Sequence, residues 1–418
     1  MKNILCAIAA LATSVLAACA GSDDPAVSDD PVGSVASAVV NGTDDTSAHD
    51  SVVLLLLEPQ GKILGSCTGT LVAPNLLLTA RHCVSDTDES VICKADGTAY
   101  QGGSIKGDYA PSALLVYPGV NAISSAASPA KAAARGKSII TETSSVLCNH
   151  DLAFIVLDTD VNAPTAPMRT ASGAVTNESL TVDGWGLTQS GKLPGARQTR
   201  TGVKVIASGP YVIDKDTNIG LGESEFAVGE SICSGDSGGP AFSSQGALVG
   251  VVSRGGGGPS SDTNQASTCL GTDVVNEYTE LAKKSALVAK AFAAAGYQPR
   301  LEGTAPGVAN GASCTADTDC NSQACVASTC VTRCDDSTAA GCGNGQACTD
   351  KSAVKVCLTP SQVTALNTAA VSAPTTSSSS GGCATAPGRS GGVGGLVIAL
   401  SLLILRRRRS GRTAQGDR

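Results

Sequence analysis

Three histidines occur in 418 residues, and one of them, His82, stands near the end of the stretch Thr79-Ala80-Arg81-His82-Cys83. Much further along lies Ser237, inside the run Cys-Ser-Gly-Asp-Ser-Gly-Gly-Pro from Cys233 to Pro240. A serine hydroxyl is too weakly acidic to attack a peptide carbonyl until a base takes its proton, and the base needs a third group to fix its tautomer. Asp151 can fill that third role. It heads the strongly apolar run Leu152 to Leu157, where a carboxylate is unfavourable without a partner. The glycines around Ser237 allow a tight turn that exposes its oxygen and aims the backbone N–H groups of Gly235 and Ser237 at a developing oxyanion. Peptide-bond hydrolysis through an acyl-enzyme is the chemistry such a set performs.

Elements to position these groups follow from the texture of the chain. From Val39 onward, apolar runs are broken by Gly, Pro and Asn, as in Val52 to Leu57 and Thr70 to Ala80. Short buried strands of an all-β sandwich or barrel have this signature. Further strands are expected at Leu152 to Leu157, Leu180 to Val182, Gly202 to Ala207 and Ala247 to Ser253. One helix is expected, from Thr279 to Ala295, because Leu281, Val288 and Phe292 fall roughly on one face. The length argues for two or more folded units. A net charge of −7 with 16% charged residues provides no basic face for nucleic acid.

His82 in Thr-Ala-x-His-Cys, Asp151 in Asp-Leu-Ala-Phe and Ser237 in Gly-Asp-Ser-Gly-Gly-Pro, in that order, resemble the chymotrypsin/trypsin family of serine proteases over about Val39 to Ala295. The resemblance implies an all-β fold of two six-stranded antiparallel β-barrels with a C-terminal helix, acting on protein or peptide substrates with no cofactor and no metal. It assigns His82 as general base and acid, Asp151 as its orienting partner, Ser237 as nucleophile, and Gly235 with Ser237 as the oxyanion hole. Asp183 to Gly186, Asp-Gly-Trp-Gly, resembles a family strand. The family's bridges imply disulfides Cys67–Cys83 and Cys233–Cys269, and Cys93 with Cys148 is left by elimination.

Val39 to Gly42, Val-Val-Asn-Gly, is similar to the family's mature start, so the amino group freed by a cut after Ala38 is expected to pair with Asp236. By the family's spacing, Ser231 is the floor of the specificity pocket, Ser253 and Gly255 lie on the strand that pairs with substrate, and Asn276 stands where Gly is frequent. Arg254 takes a place usually held by Trp. An uncharged floor disfavours cleavage after Arg or Lys and favours small or medium apolar side chains.

The remaining regions are organised around cysteines, seventeen in all, which points to an oxidising compartment. Residues 1–19 read as a signal peptide, with Leu16-Ala17-Ala18-Cys19 in the form of a bacterial lipobox, and 20–38 as a propeptide or linker. After the protease domain at 39–298, residues 299–313 read as a linker. Cys314, Cys320, Cys325, Cys330, Cys334, Cys342, Cys348 and Cys357 then form a small disulfide-rich module, 314–357. It has few large apolar side chains, and neither the Cys-x-x-Cys pair nor the His of a zinc site. Residues 358–382 read as a Ser/Thr-rich stalk. Residues 383–409 hold Cys383, a short apolar run and an Arg block, and resemble the C-terminal sorting tails of myxobacterial surface proteins; 410–418 is a tail. Cys19 and Cys383 are thus the expected processing points. A monomer tethered to a membrane by lipid or tail, on the bacterial envelope, is expected. The rivals are an adhesion protein on a silent protease scaffold, and an esterase, whose Ser-Asp-His order differs from the order here.

Overall fold

The structure, a computed structural model, describes residues 39–46, 49–88, 90–121, 131–186, 196–257, 266–334, 342–352 and 354–371. These belong to one compact unit that ends at Val371. The segments expected as signal peptide, propeptide or linker (20–38) and sorting tail, with Cys19 and Cys383, lie outside the described residues.

Two closed barrels of six antiparallel strands make up the body of the fold. The first contains β1 (Val52–Leu57), β2 (Gly65–Ala73), β3 (Leu76–Thr79), β4 (Leu114–Tyr117), β5 (Ala134–Thr141) and β6 (Ala153–Leu157), closed in the order β5-β6-β3-β2-β1-β4. The second contains β7 (Ser179–Gly184), β8 (Gln198–Ser208), β9 (Glu225–Val228), β10 (Pro240–Phe242), β11 (Leu248–Gly256) and β12 (Val275–Glu280), in the order β8-β7-β10-β11-β12-β9, with β9 returning to β8. β8 spans enough residues to pair with β7 along one part and β9 along the other.

The unbroken apolar sequence of β1 reflects burial on both faces. Val53 and Leu55 point into the first barrel with Leu71, Leu77 and Ile155. Leu54 and Leu56 pack on its other side with Leu115, Tyr117 and Trp185, so only Leu57 at its end is partly exposed and the alternation of a half-exposed strand is lost. Leu180, Val182, Val205, Phe226, Val249 and Tyr278 fill the second barrel. Leu78, Phe154, Met168, Phe242 and Val251 join the two barrels beneath helix α1 (Ser285–Ala295), whose Leu287, Val288 and Phe292 enter the same cluster.

The helix begins later than its apolar spacing predicts. Thr279 and Glu280 belong to β12, paired with Val251 and Gly250, because the barrel ladder satisfies their backbone groups before a helix can start. The helix ends at Gly296, which adopts the left-handed conformation with φ 76°.

The segment 299–313, expected as a free linker, is laid against the barrels. Met168 N–H donates to Arg300 O at 2.8 Å and Glu302 N–H returns to Met168 O at 2.9 Å. The Arg169 guanidinium clasps both Glu302 oxygens at 2.8 Å. The cysteine module closes with Cys314–Cys325, Cys320–Cys330, Cys334–Cys348 and Cys342–Cys357. It docks through Asn321, whose Oδ1 accepts the Thr165 hydroxyl at 2.7 Å and whose Nδ2 donates to Ala163 O. Arg333 adds a guanidinium stacked 4.2 Å over the Tyr297 ring. Part of the expected stalk is helical as well: in α2 (Pro360–Val371) Val363 and Leu366 pack on Ala324, Val326, Val331, Val356 and Leu358. These two segments found apolar and ionic partners that a composition-based reading does not register.

Asn321→Ala removes both interdomain hydrogen bonds and leaves buried partners unsatisfied. It is expected to destabilise docking by roughly 1–3 kcal/mol and to make residues 299–313 susceptible to limited proteolysis; unchanged proteolysis kinetics would contradict this role.

Candidate active site

Strand register explains why His82 and Asp151 meet. β3 runs antiparallel to β6 with Thr79 opposite Ala153, so the chain just past Thr79 and the chain just before Ala153 leave the sheet at one edge. His82 sits on the single turn Arg81–Cys83 after β3, and Asp151 immediately precedes β6. The His82 Nδ1 lies 2.8 Å from Asp151 Oδ2, and the His82 backbone N–H donates to Asp151 Oδ1 at 2.9 Å. Ser253, on β11 of the other barrel, donates its hydroxyl to Asp151 Oδ2 at 2.7 Å.

Asp151 is 1% exposed. Burial acts to raise its pKa, but the charge and hydrogen bond of His82, with the Ser253 hydroxyl, hold it below the ordinary carboxylate value. For His82 burial acts to depress the imidazole, and the Asp151 charge with its hydrogen bond outweighs burial, so its pKa lies above the ordinary value. The pair is thus an ionised carboxylate fixing the tautomer and plane of an imidazole.

Ser237 lies on the loop between β9 and β10, and Thr68 on β2 ties that loop to the His82 turn. The Thr68 N–H donates to Ser237 O at 2.8 Å, its hydroxyl donates to Gly235 O at 3.0 Å, and its own carbonyl accepts the Thr79 hydroxyl at 2.9 Å. The neighbour of Thr68, Cys67, is bonded to Cys83, and Ser237 O lies 3.6 Å from Cys83 Sγ. Gly235 adopts φ 99° and Gly238 φ 75°, both in the left-handed region where glycine is favoured. At Gly238 a Cβ would stand 2.0 Å from Thr79 Oγ1. Among the described residues, neither the Gly235 nor the Ser237 backbone N–H has a hydrogen-bond partner. That arrangement leaves two donors on the turn that carries the serine.

Asp236 is fully buried and receives the N–H groups of Gly186 at 2.7 Å and Cys233 at 2.9 Å. The Val39 N–H also donates to it, so the two residues expected to form an activation pair are neighbours. Burial outweighs these donors, and the nearby Asp183 adds to it, pushing Asp236 up to about 7. Val39 is itself buried, with φ 51°, a genuine outlier for a β-branched residue.

Ser231, Gly255 and Asn276 come together. Asn276 sits opposite Gly255 and Val228 in the ladder. Its Nδ2 donates to Gly229 O at 3.0 Å and reaches Ser231 Oγ at 3.3 Å, while its Oδ1 occupies the space beside Gly255. The expected bridges are present: Cys67–Cys83, Cys93–Cys148 and Cys233–Cys269.

Several participants were not singled out from the sequence. Thr68 is one, and Glu225 is another: fully buried, it accepts the Asn149 N–H at 3.0 Å and both outer nitrogens of Arg254. A carboxylate directly before the apolar run Phe226 to Val228 was the available signal. The third is His49, 3.0 Å from Asp183 and stacked on Phe242. Four groupings of metal-type ligands occur among the described residues. Three contain disulfide cysteines, whose sulfurs are not free to ligate, and in Asp45–His49–Asp183 the Arg197 guanidinium already holds Asp45.

A trypsin family model matches residues 40–269, more than half of the chain. Trypsin alpha-4 of Lucilia cuprina is 30% identical over 197 residues, covering 46% of this chain and 68% of that protein. The chain belongs to the trypsin family, a serine protease domain carrying an added disulfide-rich module.

The Asp236 pKa, raised from 3.8 to about 7 in the uncut chain, has a stability consequence. The stabilisation associated with the protonated form is fully present below the unfolded value near 3.8 and is lost as pH rises through about 7. In a Ser237→Ala precursor, roughly 4 kcal/mol of stability should disappear across that window, and Asp236→Asn should flatten it. Thermal melts between pH 4 and 8 check this.

Proposed function

We propose that this chain is a secreted serine endopeptidase in which His82, Asp151 and Ser237 form the catalytic set. The observation that carries the reading is the short, buried Asp151–His82 pair beside a glycine turn that holds Ser237 and two unengaged amide donors. In this reading Ser237 Oγ forms a bond to the substrate carbonyl carbon as its proton passes to His82 Nε2. The N–H groups of Gly235 and Ser237 hold the tetrahedral oxyanion. His82 then hands its proton to the departing amine as the C–N bond breaks. Water attacks the acyl-enzyme with His82 again as base, releasing the acid product and restoring the serine.

Activation is proposed to follow a cut after Ala38. The new ammonium at Val39 would sit where its amide N–H already meets Asp236, giving that buried carboxylate an ionic partner in place of a proton. An unpaired buried charge is strongly destabilising, so the cut would convert Asp236 from a pH-sensitive liability into a fixed ion pair and settle the Gly235–Ser237 turn. With Ala before the cut, a trypsin-like activator is disfavoured; self-cleavage or an elastase-like enzyme suits it better.

For specificity, the side chain of Asn276 spans the pocket between Ser231 and Gly255 and brings no charge, which supports small or medium apolar residues at the cleaved position. The lipid at Cys19, the processing at Cys383, membrane tethering, an envelope location and a monomeric state complete the proposal. No helix among the described residues is long and apolar enough to cross a membrane.

A fluorophosphonate probe should label the activated protein and fail to label Ser237→Ala; equal labelling of both forms would exclude Ser237 as the nucleophile. Asn276→Gly should raise kcat/KM for Leu or Phe at the cleaved position relative to Ala by about tenfold or more, the amount expected for added hydrophobic volume. A peptide-library profile provides the measurement.

A further inference from the structure

Arg254 stands directly after Ser253 on the strand that borders the site, and its surroundings are unusual for a cleft-lining residue. Its guanidinium is nearly buried, with the side chain 10% exposed. Both outer nitrogens bond to Glu225, at 2.8 and 3.0 Å, while Nε meets Glu277. Glu225 has no exposed side-chain surface and takes two backbone donors as well, Asn149 N–H at 3.0 Å and Gly222 N–H at 2.8 Å. Asn149 lies two residues before Asp151. Its side-chain Oδ1 accepts the Ser224 N–H, and the Cys148 before it is bonded to Cys93. A closed circuit results: Asp151 to Ser253, Ser253 to Arg254, Arg254 to Glu225, Glu225 to Asn149, and along the backbone to Asp151 again.

Charge follows the same path. Arg254 Nη1 lies 3.5 Å from Ser253 Oγ, which itself donates to Asp151. A bare guanidinium at that distance would draw on the Asp151 carboxylate and weaken its hold on the His82 proton. Two carboxylates stand against it. Burial acts to raise the Glu225 pKa, but Arg254 and two amides hold it below the ordinary value, so it is a permanent counter-ion. Burial lifts Glu277 to about 7 despite Arg254. Other charged groups lie near Asp151 as well: Lys284 donates to Glu142 and to Asn149 O, both at 2.6 Å, and His150 contacts Glu142 at 2.7 Å.

We propose that Glu225 and Arg254, with Glu277, are positioning residues for the Asp151–His82 pair: they fix the loop that carries Asp151 and cancel the field of the guanidinium at the cleft strand. This rests on the catalytic reading above and adds to it residues outside the triad. Arg254 at a place usually held by an aromatic is then no loss of a subsite wall alone; it makes a buried carboxylate on β9 necessary.

The test is the pH dependence of kcat/KM for the activated full-length protein and three variants, Glu225→Gln, Glu277→Gln and Arg254→Gln. Removing the Glu225 charge destabilises the imidazolium, so Glu225→Gln should move the acid limb to lower pH by about half a unit, while Glu277→Gln, at a group largely protonated below about 7, should move it much less. Arg254→Gln should move it to higher pH by about half a unit. A purely structural role lowers kcat without opposite displacements of the limb. If the buried Glu225 variant does not fold, the opposite shift of Arg254→Gln carries the prediction. Limbs that all stay within about a tenth of a unit of the parent, or that move in one direction, overturn the proposal. An activated parent that fluorophosphonate does not label would instead overturn the catalytic reading itself.

Discussion

A carboxylate removed from water, Asp151, stays ionised because an imidazole, a backbone amide and a serine hydroxyl converge on it. Those three donors come from different parts of the chain: the turn after β3 supplies two, and β11 of the second barrel supplies the third. The two barrels therefore have to be seated on each other before the charge is tolerable. The continuous apolar sequence of β1, buried against the first-barrel core on one face and against Trp185 on the other, is how that seating is achieved. Stability and site geometry are the same constraint viewed at two scales.

The loop carrying Ser237 depends on the first barrel in turn. Thr68 touches the serine loop twice and the His82 strand once, while the adjacent Cys67–Cys83 bridge fixes the His82 turn from below. One residue of β2 thus sets the distance between elements far apart in sequence. The module beyond α1 belongs to the same compact unit, since Asn321, Glu302 and Arg333 reach back into it.

The all-β class was legible because its signal is local, apolar runs between turn residues, and the two barrels followed from the resemblance carried by the short motifs around His82, Asp151 and Ser237. Pairing of Cys67 with Cys83 and of Cys233 with Cys269 followed from the same motifs. What escaped notice was relational. Glu225 acquires its role only when the Arg254 side chain reaches it from a strand it does not pair with, and Thr68 differs from any strand threonine only through its partners on other elements. The helix start misled because Leu281 fits a helical stripe while the preceding Thr279 and Glu280 are claimed by a ladder. The segments 299–313 and 360–371 were read as linker and stalk from composition, yet Glu302 found Arg169 and Leu366 found the hairpin of the module. Composition reports what a segment cannot bury by itself; it does not report what a neighbour will bury for it.

The backbone of Val39, turned to φ 51°, introduces a directionality. That torsion is defined by the carbonyl carbon of the preceding residue, so hydrolysis before Val39 would abolish the torsion itself and release the ~1–3 kcal/mol such a conformation stores. The freed end would also gain a charge beside Asp236, which its backbone already meets. Resealing the bond would have to restore the contortion and surrender the ion pair together, which makes the step a ratchet.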